Sequence, residues 1–137
     1  MVDPERAAAR LKRLEKLIED LDEIRTQGEA NYLAEHRVRM AAERQLELAV
    51  QICIDIGTQL VMERSVRAPE SYADVFRAMV EADLLPGDLA DRLSEAAKQR
   101  NLLVHLYIEI DDKLVFESLE SLDDLRQFGE IVGSEID

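Results

Sequence analysis

The chain has 137 residues, 47% hydrophobic and 34% charged, with five glycines, three prolines and one cysteine. That is one domain's worth of chain, with material for a single core, and it excludes disordered, fibrous and disulfide-scaffold classes. Thirty acids against 17 bases leave a net charge of −13, which opposes sequence-blind binding to nucleic acid.

The charge is uneven. Residues 111–137 hold nine acids and two bases, whereas 31–70 hold six acids and five bases. A polyanion would therefore have to be bound locally, against the overall field. No apolar run approaches the roughly 18–20 residues that cross a bilayer, so no membrane partner is expected. Residues 1–16 are charged at short intervals, unlike a secretory leader. Cys53 stands alone among Ile52, Ile54 and Ile56, which predicts a buried, inert thiol in a reducing cytoplasm.

Asp3-Pro4 predicts a helix start. Leu11, Leu14, Leu17, Ile18, Leu21 and Ile24 then recur at spacings of three and four, predicting helix one over about 4–26, ended by Gly28. A long second helix is expected from near Asn31 to the Arg64–Pro69 region, through Val38, Ala42, Leu46, Ala49, Ile52, Cys53, Ile56 and Leu60. From about Val50 to Met62 it is apolar on more than one face. That implies a helix covered on several sides or a subunit interface. Gly57, costly inside a helix, suggests close packing. Helix three follows Pro69 and Ser71 and stops at Leu84-Leu85-Pro86-Gly87. Helix four, capped by Asp88, carries Leu89, Leu93, Ala96 and Ala97. Asp111-Asp112 breaks the pattern before a last acidic helix over about 114–132. No strand alternation persists. The expectation is one all-α domain over 1–137, a four- to five-helix up-and-down bundle with an acidic helix and tail from about 111.

The densest polar set lies late in the chain: Lys98-Gln-Arg-Asn-Leu-Leu-Val-His-Leu-Tyr-Ile-Glu109. At about 100° per residue, Asn101 and His105 lie about 40° apart on one helix face, and Arg100 and Tyr107 share another. Arg100 and His105 point about 140° apart, so they are not stacked neighbours: a long Arg can swing round, and a site that uses both can also draw groups from another copy of the helix. RNA cleavage without a metal needs a base for the 2′-OH, an acid for the leaving 5′ oxygen, and donors for the phosphorane charge. Neutral His, with a pKa of about 6.5, serves either proton transfer. Arg offers bidentate donors to phosphate. The same set also fits a structural histidine beside a helix-end cation, and spacing alone leaves both open.

Arg100-Asn-Leu-Leu-Val-His105-Leu-Tyr107 resembles the signature of HepT-like proteins of the HEPN superfamily: Arg, four to six residues, His, one residue, Tyr. Arg44-Gln-Leu-Glu-Leu-Ala-Val-Gln-Ile-Cys-Ile-Asp-Ile-Gly57 resembles that family's long helix. Pro69-Glu-Ser-Tyr-Ala-Asp-Val-Phe76, Leu85-Pro86 and Tyr107-Ile-Glu-Ile-Asp111 fit it too, so that the likeness spans roughly 4–130. The resemblance implies a small helical toxin that dimerises through the long helix and the motif helix, placing two Arg…His pairs in one cleft. It implies a metal-independent endoribonuclease of a type VII-like toxin–antitoxin system, cutting tRNA or mRNA without a cofactor. Its antitoxin would be a minimal nucleotidyltransferase that transfers AMP to the motif tyrosine. Carried over, Arg100 holds phosphate, His105 transfers protons, Asn101 supports them and Tyr107 is the modification target. AMP on Tyr107 would add bulk and negative charge against RNA.

Asp55, inside the apolar part of the long helix, needs a partner if buried, with Arg100 expected. The alternative is a solvated helix-edge Asp. Arg37, Arg39 and Arg44 form a possible RNA rim, or else salt bridges to Glu35, Glu43 and Glu47. Arg64 and Arg67 are equally ambiguous, and His36 is expected at the surface. Against the nuclease stand two other readings: a non-catalytic HEPN subunit that serves a nucleotidyltransferase, and a structural helical dimer.

Overall fold

The computed structural model describes residues 3–64, 67–105 and 110–136, with the backbone alone for 102–105. Among these residues the chain is all-helical. The elements are α1 (Pro4–Thr26), α2 (Glu29–Ala34), α3 (His36–Arg64), α4 (Asp74–Glu81), α5 (Gly87–His105), α6 (Asp112–Ser118), a 3₁₀ turn (Leu119–Ser121) and α7 (Leu122–Ile136). The four longer helices α1, α3, α5 and α7 make the bundle that the sequence predicts.

α1 starts as expected. Asp3 accepts the Glu5 N–H at 3.0 Å, and Pro4 fills the first turn, where no amide donor is needed. Its stripe of Leu14, Leu17, Ile18 and Leu21 is buried against α3 and α7. Gly28 follows at φ +93°, in the left-handed region that glycine enters without strain.

α3 is the central helix. It packs on α1, α2, α4, α5 and α7, and buries Ile52, Cys53, Ile54 and Ile56 in succession. Its many apolar faces are thus covered within one chain. Gly57 is required where α3 meets α4: a Cβ there would lie 2.8 Å from Val75 Cγ1 and 2.9 Å from Met79 Sδ. Phe76 and Phe128 meet edge-on, ring centroids 5.9 Å apart, tying α4 to α7.

Two expected boundaries and one expected cap are corrected. The long second helix is divided at Glu35, whose backbone is extended (φ −108°, ψ 100°). The break lets α2 turn aside and bury Tyr32 against Phe116 of α6, centroids 5.3 Å apart. α4 starts at Asp74, whose N–H is accepted by Ser71 Oγ at 3.1 Å. The last helix is α6, a 3₁₀ turn and α7, because the turn buries Leu119 and Leu122 together. Asp111 caps α6 by accepting the Lys113 and Leu114 N–H groups. Asp88 lies in the first turn of α5, which begins at Gly87.

Candidate functional site

The last turns of α5 carry the motif. Leu89, Ala90, Leu93 and Ala97 bury one side of this helix against α3, α4 and α7. That leaves Arg100 half-buried at the edge of the packed face. Its Nη1 donates to Asn101 Oδ1 at 3.2 Å, and its Cζ lies 5.5 Å from the centroid of the Tyr72 ring. Tyr72 comes from the turn before α4, so two distant segments hold one guanidinium by an amide and a π face. Arg100 Nε is buried with no hydrogen-bond partner, and no carboxylate pairs with this side chain among the described residues. A cation so placed keeps its remaining Nη donors, not the enclosed Nε, for an anionic ligand.

Arg100 also lines a cleft of about 210 Å³ between α3, α5 and the α6–α7 end. Its walls include Leu46, Val50, Leu93 and Leu125. At its far end Arg92 donates to Asp124 Oδ1 at 2.9 Å and lies 3.6 Å from Asp88, and the hydrogen bond to Asp124 holds Arg92 above its ordinary pKa.

The other candidates separate. His105 closes α5, but its side chain lies outside the described residues, as does the whole of Tyr107. Asp55 is half-buried and has a partner, yet not Arg100: Gln51 Nε2, one turn earlier, donates to its Oδ1 at 2.8 Å. A neighbour on the same helix satisfies the carboxylate more cheaply than a cation on another element. Arg37 is exposed, and so is His36. Arg44 pairs with Glu47 at 3.1 Å, as the helical spacing suggested. The Arg39 side chain bonds neither the Glu35 nor the Glu43 carboxylate. It reaches the Leu33 carbonyl and Asp112, 3.5 Å away, clasping α3 to α2 and α6. Glu43, close by, is raised from its ordinary pKa by burial and then by the Asp112 charge. Arg64 pairs with Glu135, and Arg67 with Asp74 and Glu81. Cys53 is fully buried, and burial pushes its thiol pKa up, away from reactivity.

Sequence reasoning missed Tyr72 as the shelf for Arg100, and missed the cleft. Tyr72 stood out only as part of a helix-start pattern, and no local periodicity links it to a residue 28 positions on. The cleft forms from three elements that only tertiary packing brings together.

A family model for HepT-like ribonucleases matches residues 14–132. The chain belongs to this family. The HepT-like relatives include the "mRNA nuclease HepT" of Shewanella oneidensis, 28% identical over 91 residues, which are 66% of this chain and 68% of that one. The "tRNA nuclease HepT" of Aphanizomenon flos-aquae is 26% identical over 121 residues, 86% of this chain and 80% of the relative. Among solved structures, the tri-AMPylated Shewanella oneidensis HEPN toxin in complex with MNT antitoxin superposes with a TM-score of 0.86 at 21% identity, covering 98% of this chain and 99% of that one. The resemblance seen in the motif thus holds across the fold. No helix among the described residues is long and apolar enough to cross a membrane.

Proposed function

We propose that this HepT-like chain is a metal-independent endoribonuclease that works as a homodimer, with one composite cleft built from two motif helices. The observation that carries the reading is Arg100: a guanidinium at the end of α5, supported by an amide and a ring, without a neutralising carboxylate among the described residues. In this reading Arg100 binds the scissile phosphate by charge-assisted hydrogen bonds. One His105 takes the 2′-OH proton. The freed oxygen attacks phosphorus, and the 5′ oxygen leaves with a proton from the partner's His105. The products are a 2′,3′-cyclic phosphate and a 5′-hydroxyl end. Asn101 orients Arg100. The relatives named as mRNA and tRNA nucleases support RNA as the substrate class.

The solved complexes of HEPN toxin with MNT antitoxin support a minimal nucleotidyltransferase as the partner. It would transfer AMP from ATP to the Tyr107 hydroxyl, releasing pyrophosphate. The bulk and charge so added would close the groove to RNA.

The test is cleavage of tRNA and mRNA by the purified full chain in excess chelator. Wild type cuts, and His105→Ala loses about 10²–10⁴-fold in rate. The net charge of −13 favours a second reading, a non-catalytic HEPN subunit that only engages the nucleotidyltransferase. Wild-type protein that leaves every RNA intact while binding that partner decides for it.

A further inference from the structure

We propose that the cleft beside Arg100 is a base-binding pocket, which takes the base of the nucleotide whose phosphate Arg100 holds and favours bases with an exocyclic amino group. The proposal rests on the nuclease reading and adds to it a source of sequence preference within a single chain.

Size comes first. The cleft of about 210 Å³ is smaller than the roughly 300–1,000 Å³ of sites that enclose drug-sized ligands. It has room for one small ring system, not for a peptide helix or an acyl chain. Its walls come next. Leu46 and Val50 of α3, Leu93 of α5 and Leu125 of α7 are aliphatic, and the faces of a nucleobase pack between such side chains.

The polar rim then sets the preference. Glu95, Gln99 and Ser121 line the cleft with Arg100. Asp124 is there too, but it is occupied by Arg92 at 2.9 Å. Among the described residues Glu95 is held by Lys98 alone, at 3.7 Å, with both side chains largely exposed, so its oxygens are available. A carboxylate only accepts. It matches the amino hydrogens of cytosine, adenine or guanine and repels the O4 of uracil. A free phosphate would need the arginine and no apolar walls. A plain hydrocarbon would need the walls and no arginine. A nucleotide needs both, with an acceptor on the rim, and the cleft offers all three.

The experiment is calorimetric titration of the full chain with ribose 5-phosphate, UMP, CMP and AMP, in parallel with the cleavage assay. CMP and AMP are expected to bind about tenfold more tightly than UMP or ribose 5-phosphate, the value of one hydrogen bond to a charged acceptor. Glu95→Lys replaces the acceptor with a donor and should reverse the CMP-to-UMP ratio, whatever it does to overall affinity. Ala96→Phe, which fills the cleft, should abolish the difference between nucleotides and ribose 5-phosphate. Equal binding of all four ligands by wild type, or a ratio unmoved by Glu95→Lys, overturns the pocket even if RNA is cut. Selective binding that Glu95→Lys reverses, with no RNA cut, upholds the pocket and removes the nuclease reading instead.

Discussion

Two arginines flank the turn before α4 and are treated in opposite ways. Arg67 is saturated: Nη1 and Nη2 grip Asp74 at 2.6 and 2.9 Å, and Nε donates to Glu81 at 2.6 Å. Arg100 receives one amide oxygen and one ring face, and its Nε has no partner among the described residues. The first arrangement spends a donor from each of the three guanidinium nitrogens on holding the chain in place. The second holds a cation in position while leaving it able to bind something else. The difference separates a structural guanidinium from a candidate phosphate ligand in a chain whose charge is −13.

The largest expected effect breaks the uncommitted side. Arg100→Ala should lower RNA cleavage by about 10²–10³-fold, the cost of one transition-state donor, with little change in the thermal midpoint. If it unfolds the protein instead, the two arginines are alike and the contrast fails. Next comes the packed contact between α3 and α4. Gly57→Val pushes a side chain into Val75 and Met79 and should cost about 1–3 kcal/mol in denaturant unfolding, as overpacked cores do.

Smaller effects sharpen the saturated side. The Arg67 hydrogen bonds, and then the Glu70 N–H, lower Asp74 from 3.8 to about 2. A carboxyl with a depressed pKa in the fold stabilises it above its unfolded value, and that stabilisation is lost as pH falls towards the folded one. Thermal midpoints of wild type should therefore drop between about pH 4 and pH 2 more steeply than those of Asp74→Asn. Arg67→Ala should flatten the same window without touching cleavage. The smallest effect belongs to Tyr72→Leu, which removes a half-exposed cation–π contact of about 0.5–1 kcal/mol. Cleavage should slow only a few-fold, through loss of Arg100 placement.

Legibility in the sequence follows the range of the forces involved. α1 was readable to its ends because its cap, stripe and terminating Gly28 are all local. The closeness at Gly57 was readable because a glycine inside an apolar helix asks for a neighbour. The break at Glu35 was not, since neither Gly nor Pro marks it and its cause is Tyr32 seeking Phe116, 84 positions on. The 3₁₀ turn at Leu119–Ser121 was hidden for a similar reason: its residues keep helical spacing. At the site, the order Arg100, His105, Tyr107 marked the family before any coordinate did. What Arg100 touches was not legible, because Tyr72 and the cleft walls come from other elements. Asp55 shows the opposite error. A long-range partner was expected where Gln51, one turn back, suffices.

The enclosure of Cys53 has a practical consequence. Sulfur at the centre of α3, fully covered, meets a water-borne alkylating reagent only when the bundle opens around it. Because the chain holds no other thiol, the labelling rate counts openings of the molecule from within, one reacted sulfur for each.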